Sequence, residues 1–257
     1  MSKPKIGMFG MTGCAGEQII IPNCEDELMD ILKVLDIRSF RTATSKNDEK
    51  CDLDLAFVEG AVVQPEEDVF LKGIRKRSRL LIALGTCAVW GGVAAMKNEV
   101  SRQRLKDIVC GSPGRIFKSI SAQPLYSFVK VDFSISGCPI EKEQFLQAAS
   151  SLVHGDIPVL PKYAVCTECK INENTCLLVE KGELCLGPIT LAGCNARCLG
   201  YGIACSGCRG PVKEANIASE VEILKEKGFT LGDINNQLRT FAEPAETIQT
   251  HLAKRRR

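Results

Sequence analysis

The chain of 257 residues has little net charge and no long apolar run. Its 33 Lys and Arg residues stand against 31 Asp and Glu residues, and the net charge of +2 does not favour nucleic acid or an anionic membrane as a partner. No stretch of about 18 apolar residues occurs, so we expect no direct membrane span. The first residues lead into a strand-like segment without an apolar signal region, and we therefore expect a cytoplasmic protein.

The sequence also lacks the motifs that usually carry catalysis. It contains no nucleophile–base pair, no phosphate-binding loop and no Gly-x-Gly-x2-Gly where the first predicted strand ends. Only two histidines are present, His154 and His251, and neither lies in a catalytic motif. We therefore identify no catalytic centre within this chain.

Cysteine, by contrast, is abundant, with 14 residues in the chain. In a reducing compartment, clustered cysteines indicate metal ligands rather than disulfides. Eight of them fall in one short segment and could form two complete four-thiolate sets: Cys166, Cys169, Cys176, Cys185, Cys194, Cys198, Cys205 and Cys208. Sets of this kind bind iron–sulfur clusters or structural zinc.

The spacing of these eight residues favours iron–sulfur clusters. Zinc sites usually pair two tight Cys-x2-Cys knuckles around one ion. Here Cys166-x2-Cys169 and Cys205-x2-Cys208 enclose four cysteines at looser spacings, which suit the separated iron corners of a cubane better. A zinc-organised interaction module is the alternative.

Residues 1–158 alternate between strand-like and helix-like patterns. Apolar runs predict strands at 5–10, at the start of 53–63, and at 80–84 and 129–135. Amphipathic periodicity predicts helices at 25–36, 66–77 and 141–153. This alternation predicts an α/β fold with a parallel sheet covered by helices.

Near Ile157 and Pro158 the alternation stops and the dense cysteines begin. We therefore predict two domains, 1–158 and 159–257. In the second, metal sites would organise a loop-rich region, and amphipathic helices would follow at 220–227 and 231–241.

Three further cysteines, Cys14, Cys87 and Cys138, each follow a predicted strand end. Ligands of open parallel sheets bind at the carboxyl ends of the strands, so these thiols could converge on one cluster.

The natural position for a fourth ligand, three residues after Cys14, is occupied by Glu17. A carboxylate there could bind iron as a harder donor, or it could point elsewhere while water or another group completes the site. Glu59 ends another strand at the same edge and could carry protons or contact a partner.

Together these motifs resemble the small subunits of nickel–iron hydrogenases. The resemblance is to the cytoplasmic multi-subunit group that includes the methyl-viologen-reducing and coenzyme F420-reducing enzymes of methanogens. It covers residues 5–211 and is carried by these motifs: Thr12-Gly13-Cys14-Ala15-Gly16, Val58-Glu59-Gly60, Gly85-Thr86-Cys87-Ala88-Val89-Trp90-Gly91-Gly92, Gly137-Cys138-Pro139, Cys185-Leu186-Gly187-Pro188 and Cys205-Ser206-Gly207-Cys208-Arg209-Gly210-Pro211.

The resemblance implies a flavodoxin-like domain followed by an iron–sulfur domain, with three [4Fe–4S] clusters in all. We name three ligand sets accordingly. The proximal set is Cys14, Cys87 and Cys138, with Glu17; the medial set is Cys194, Cys198, Cys205 and Cys208; the distal set is Cys166, Cys169, Cys176 and Cys185.

The nickel–iron centre would lie in a separate large subunit, and a flavin or iron–sulfur subunit would exchange electrons downstream. Glu59 matches an acidic position that faces the bimetallic site in this family. Glu17 departs from the family, because most members have cysteine there, although the F420-reducing relatives carry aspartate. A relay subunit like that of complex I is the remaining alternative.

Overall fold

A computed structural model describes residues 3–111 and 118–254, and the chain forms two compact units. The first unit is Met1–Lys142 and the second is Glu143–Arg257. The change of sequence pattern predicts the boundary at residue 158, after the helix that begins at Lys142; in the structure that helix belongs with the second unit.

The first unit is built on a five-stranded sheet in the order β2-β1-β3-β4-β5, and every neighbouring pair is parallel. This order confirms the predicted flavodoxin-like α/β fold. The strands are β1 (Lys5–Gly10), β2 (Asp36–Phe40), β3 (Leu53–Glu59), β4 (Ser78–Leu84) and β5 (Phe133–Ile135).

Four of the strands end level with one another. In the register of the sheet, Gly10 of β1 lies opposite Glu59 of β3, Glu59 opposite Leu84 of β4, and Leu84 opposite Ile135 of β5. The segments that follow β1, β4 and β5 therefore start from one edge; Cys14 and Cys138 lie in loops there, and Cys87 lies in the first turn of α4.

The central strand β3 is apolar on both faces, as expected of a strand covered by helices on both sides. Leu55, Ala56, Phe57 and Val58 are all buried. The helices among the described residues of this unit are α1 (Gly16–Ile20), α2 (Glu25–Val34), α3 (Pro65–Lys76), α4 (Gly85–Trp90), α5 (Gly92–Ala95) and α6 (Arg102–Cys110). Of these, α3 packs Leu71 and Ile74 into the core.

The second unit has longer helices at its two ends and a region of loops and short helices between them. The helices are α7 (Lys142–His154), α8 (Val165–Ile171), α9 (Leu177–Glu180), α10 (Arg197–Gly200), α11 (Ile217–Glu226), α12 (Leu231–Ala242) and α13 (Glu246–Lys254). Val221, Leu224 and Leu238 are buried where α11, α12 and α13 pack together. Within the described ranges, no helix combines the length and apolar character needed to cross a membrane.

Two strands differ from the predictions. The edge strand β2 has no counterpart among the predicted strands, and the predicted helix at 25–36 ends at Val34 instead. The strand β5 has only three residues. Just before it, the N–H of Asp132 donates to Leu81 O at 2.9 Å, while Asp132 Oδ2 accepts the N–H of Leu81 at 2.9 Å and also pairs with Arg75.

Candidate metal centres

The loop after β1 presents Cys14 at the carboxyl edge of the sheet. The N–H of Thr12 donates to Ala61 O at 3.2 Å, and the N–H of Ala61 donates to Thr12 O at 2.8 Å. A Cβ on Gly13 would lie 3.3 Å from the Gly60 Cα, so the two backbones run close together. Cys14 itself is exposed, and α1 begins two residues later.

Cys87 lies in the first turn of α4, directly after β4, and Cys138 lies in the loop after β5. The N–H of Gly137 donates to Thr86 Oγ1 at 3.1 Å, and the N–H of Thr86 donates to Gly137 O at 2.8 Å. These two bonds join Thr86 to Gly137, and these residues immediately precede Cys87 and Cys138. Both thiols are half-buried.

These thiols and the Glu17 carboxyl affect one another's ionisation, so they lie close together. Burial raises the pKa of Cys87 to about 11, and the charges of Glu17 and Cys14 raise it further. Burial likewise raises the pKa of Cys138 to about 11, with Cys87, Glu17 and Cys14 adding to the effect. Thiols in such surroundings become thiolates readily only when a bound cation compensates their charge, which fits a metal site.

Glu17 is buried in the first turn of α1 and lies against the backbone at the end of β4. A Cβ at Gly85 would overlap the Glu17 carboxylate. Burial, together with a hydrogen bond to Glu59, raises the pKa of Glu17 to about 8. Glu17 therefore holds a proton near neutral pH unless a cation replaces it.

Glu59 is buried beside Glu17 at the end of β3. Its Oε1 accepts Gln18 Nε2 at 2.6 Å, and the Gln18 amide oxygen in turn accepts the Thr42 hydroxyl. Glu59 Oε2 has no hydrogen-bond partner among the described residues.

The distal set gathers around α8 in the second unit. Burial raises the pKa of Cys166 to about 12, and the charges of Cys185, Cys169 and Cys176 raise it further. A Cβ at Gly187 would lie 3.2 Å from Cys166 Sγ and 3.5 Å from Cys185 Sγ. The Cys166 and Cys185 thiols therefore lie on either side of Gly187.

Cys205 of the medial set is buried, and the thiols beside it are those of Cys208 and of Cys185 from the distal set. Burial raises the pKa of Cys205 to about 12, with the charges of Cys185 and Cys208 adding to the effect. The N–H of Cys205 donates to Cys185 Sγ at 3.4 Å, so the medial and distal sets adjoin here. Cys194 is half-buried and Cys198 is exposed.

Three side chains that support these sites were not predicted from the sequence. Glu67 holds the loop that leads to Cys14, because its Oε1 accepts the Thr12 hydroxyl at 2.7 Å. Glu168 and Arg209 are buried near Cys194. The only sequence signal was the position of Glu168 inside Cys166-x2-Cys169 and of Arg209 directly after Cys208.

Within residues 3–111 and 118–254, no three or more His, Cys, Asp or Glu side chains are grouped as ligands of a single metal ion.

Three other cysteines lie outside the three sets, and none of them follows a strand end at the cluster edge of the sheet. Cys24 is buried, Cys51 is half-buried and Cys110 is exposed.

Comparison with known proteins identifies the family. The family model described as NADH ubiquinone oxidoreductase, 20 Kd subunit, matches residues 14–152, more than half of the chain. Sulfhydrogenase 2 subunit delta of Pyrococcus furiosus is 40% identical over 238 residues, which cover 93% of this chain and 99% of that protein. A subunit of the F420-non-reducing hydrogenase vhu of Methanocaldococcus jannaschii is 28% identical over 95% of this chain and 96% of its own length.

The fold is also that of a solved hydrogenase structure. The actinobacterial-type NiFe-hydrogenase from Ralstonia eutropha H16 matches with a TM-score of 0.56 over 100% of this chain and 92% of that chain, at 13% identity. The chain therefore belongs to the family of this 20 kDa subunit, among the small subunits of nickel–iron hydrogenases. The resemblance stated from the motifs is confirmed, and the chain is a hydrogenase subunit whose family places the catalytic centre on another subunit.

Proposed function

We propose that this chain relays electrons between a nickel–iron centre in a partner large subunit and a downstream redox partner, through three [4Fe–4S] clusters. The observation that supports the proposal is the sheet register: Cys14, Cys87 and Cys138 each follow a strand that ends level with its neighbours at one edge. In the cysteine-rich segment, the N–H of Cys205 also donates to Cys185 Sγ at 3.4 Å.

The residues of the chain would hold the clusters and set their environment. When bound, such clusters supply one-electron chemistry at potentials governed by ligand type, charge, hydrogen bonds and exposure. Cys14, Cys87 and Cys138 provide thiolates for the proximal cluster, and the medial and distal sets provide four each. The raised pKa values of the buried thiols mean that binding releases protons.

Glu17 is the proposed fourth donor of the proximal cluster. Its buried carboxyl lies beside Cys87, Cys14 and Glu59, and a harder oxygen donor favours the oxidised state relative to a thiolate. In the alternative, Glu17 keeps its proton and shares it with Glu59. Glu59 is then the proposed site of proton transfer or of contact with the large subunit, with Gln18 fixing its orientation.

Replacing Glu17 with cysteine or glutamine tests its ligation. If Glu17 binds iron, Glu17→Cys keeps a full proximal cluster at a higher reduction potential, and Glu17→Gln loses iron from that site. Quantitative iron analysis and potentiometric electron paramagnetic resonance (EPR) measure both effects. Unchanged iron content and an unchanged spectrum in Glu17→Gln would assign Glu17 to the proton-sharing alternative.

The function itself is tested on the native complex, purified anaerobically. We expect nickel in the complex, hydrogen evolution from a reduced dye and, for three cubanes, about twelve iron atoms in this chain. About two zinc atoms and no iron would support the zinc-organised alternative. Iron for a single cluster, with no nickel, would support a relay like that of complex I.

The downstream partner is proposed by chemistry only, as a flavin or iron–sulfur subunit that docks near the distal set. The relatives include subunits of NAD-reducing and F420-non-reducing hydrogenases, so no single acceptor follows from them. Identifying the polypeptides that copurify with this chain tests the assignment; isolation of the chain with a large subunit alone, still able to reduce the physiological acceptor, would contradict it.

A further inference from the structure

Glu168 connects two cysteine sets that are separate in the sequence. It lies on α8 between Cys166 and Cys169 of the distal set, yet its carboxylate bonds to the loop of the medial set. Oε1 accepts the N–H of Gly193 at 2.7 Å, and Oε2 accepts the N–H of Ala196 at 3.1 Å. The Cys194 thiol, between these two residues, lies 4.0 Å from Oε2.

The loop around Cys194 needs such support because its backbone is unfavourable. Asn195 and Ala196 have φ values of 53° and 48°, in the left-handed region that side chains disfavour by about 1–2 kcal/mol per residue. Successive N–H groups in such loops form a concavity that binds an anion, and here the anion is the Glu168 carboxylate.

A second residue of the same helix end reinforces the link. Asn172, which caps α8, donates from Nδ2 to Asn195 O at 2.9 Å and to Asn195 Oδ1 at 3.0 Å. The α8 helix therefore holds the Cys194 loop at two points. A displacement of the distal ligands on this helix would move the medial loop with it.

Opposite charges flank Cys194. The Glu168 carboxylate lies 4.0 Å from its Sγ, and a Cβ on the preceding Gly193 would lie 2.7 Å from Arg209 Nη2. Arg209 is fixed on the other side, where Nε donates to Ala192 O at 3.0 Å and Nη2 donates to Gln144 Oε1 at 2.6 Å. Because Glu168 is only 9% exposed, its charge acts on Cys194 with little screening by water.

We propose that Glu168 is a positioning residue of the medial set: it holds the Cys194 loop in its ligating conformation, and its negative charge lowers the reduction potential there. The proposal rests on the proposed function, in which Cys194 binds the medial cluster. It goes beyond that function because it links the medial site mechanically to the helix that carries Cys166 and Cys169.

The test compares Glu168→Gln with Glu180→Gln in the anaerobically purified complex. Glu180 is a matched control, since its Oε1 accepts the N–H of the distal ligand Cys176 at 3.1 Å but its side chain is exposed. A Cys198→Ser variant identifies the medial EPR signal. At a fixed applied potential, we expect Glu168→Gln to raise the ratio of reduced to oxidised medial cluster about tenfold, which corresponds to a rise of 59 mV in its one-electron reduction potential. Glu180→Gln should leave this ratio unchanged.

Glu168→Asp separates charge from mere packing, because it keeps the charge on a shorter side chain. The proposal is supported if Glu168→Asp shifts the medial reduction potential less than Glu168→Gln does. It is also supported if Glu168→Gln loses the medial EPR signal and retains the distal one. A medial potential in Glu168→Gln equal to that in Glu180→Gln overturns it. Loss of both the medial and the distal signals in Glu168→Gln and Glu168→Asp alike also overturns it. A wild-type complex with no medial signal would instead refute the proposed function.

Discussion

At the scale of single residues, the proximal site depends on a close approach between Glu17 and Gly85. Gly85 has a φ of 79°, which side chains rarely adopt, and a Cβ there would overlap the Glu17 carboxylate. The glycine at the end of β4 therefore makes the room in which a buried carboxyl can lie beside Cys87.

Gly85→Ala should consequently destabilise the protein and disturb the proximal site. We expect a loss of about 1–3 kcal/mol in the free energy of unfolding from backbone strain, together with a changed proximal EPR signal. Gly73→Ala is the control, since Gly73 lies in α3 with no atom within 4 Å of an added Cβ, and alanine there should stabilise the helix by about 0.5–1 kcal/mol. Equal effects of the two substitutions would contradict the prediction.

Glu220 is a second buried carboxyl, near the distal set. Burial raises its pKa from 4.5 to about 7, and its Oε1 has no hydrogen-bond partner among the described residues. The folded protein thus holds a proton that the unfolded chain releases between pH 4.5 and about 7. Its contribution to stability is full below pH 4.5 and is lost as the pH rises to about 7.

Glu220→Gln removes this titration. The stability of the wild type relative to Glu220→Gln should fall with rising pH, by up to about 3 kcal/mol in all. Anaerobic denaturant unfolding from pH 5.5 to 8.5 samples most of this window. Glu222→Gln serves as the control, because Glu222 is exposed and pairs with Lys225 on the surface of α11. Parallel pH profiles for wild type and Glu220→Gln would refute the assignment.

Much of the residue-level arrangement could be predicted from the sequence. The positions of Cys14, Cys87 and Cys138 after apolar runs were enough to predict that they meet at one edge of a sheet. The pairing of Glu17 with Glu59 could not be predicted, because it depends on the register of β1 against β3 and on the direction of α1. The link from Glu168 to Gly193 joins two loops whose mutual position no local pattern encodes.

At the scale of the elements, the start of α3 fixes the loop that carries Cys14. Gln64 and Glu67 form a capping box, with Pro65 in the first turn. Glu67 Oε2 also accepts the N–H of Val63 at 2.7 Å, while Oε1 holds Thr12. One side chain therefore caps a helix and ties down the loop after β1.

Glu67→Ala should lower stability by about 1–3 kcal/mol, because it leaves backbone donors at the start of α3 without an acceptor. It should also broaden the proximal EPR signal by freeing the Cys14 loop. Thermal unfolding and EPR line width measure the two effects. Glu66→Ala is the control, since Glu66 is an exposed first-turn carboxylate beside it; a Glu67→Ala protein that behaves like Glu66→Ala would show that the loop does not depend on this cap.

The elements differ in how readily they could be predicted from the sequence. β1, β3 and β4 are apolar runs in the core, and their prediction is confirmed. β2 escaped prediction because Asp36, Arg38 and Ser39 interrupt its apolar pattern, as the edge of a sheet permits. β5 is shorter than its alternating sequence. At its start the Asp132 N–H bonds to Leu81 O, but the Leu81 N–H goes to the Asp132 carboxylate rather than to a backbone carbonyl.

At the scale of the whole molecule, the two units derive their stability from different sources. The first has an apolar core around β3 and α3. The middle of the second, from α8 to the start of α11, consists of loops and short helices that carry the medial and distal sets. Bound metal clusters in such a region contribute directly to the free energy of folding.

Removing iron should therefore affect the units unequally. After anaerobic chelation, we expect backbone amides of residues 163–212 to exchange hydrogen much faster, while those of β1, β3 and β4 stay protected. Hydrogen-exchange mass spectrometry of the loaded and stripped complex measures this difference. A uniform rise in exchange across both units would show that the sheet, too, depends on iron.

The level ends of β1, β3, β4 and β5 also constrain the order of biogenesis. Cys14 emerges early in translation and Cys138 well over a hundred residues later, yet both must arrive at one corner of the sheet. Insertion of the proximal metal group has to wait until the last of these strands has docked. Metal insertion at that corner therefore requires a complete sheet and cannot occur on a partly folded chain.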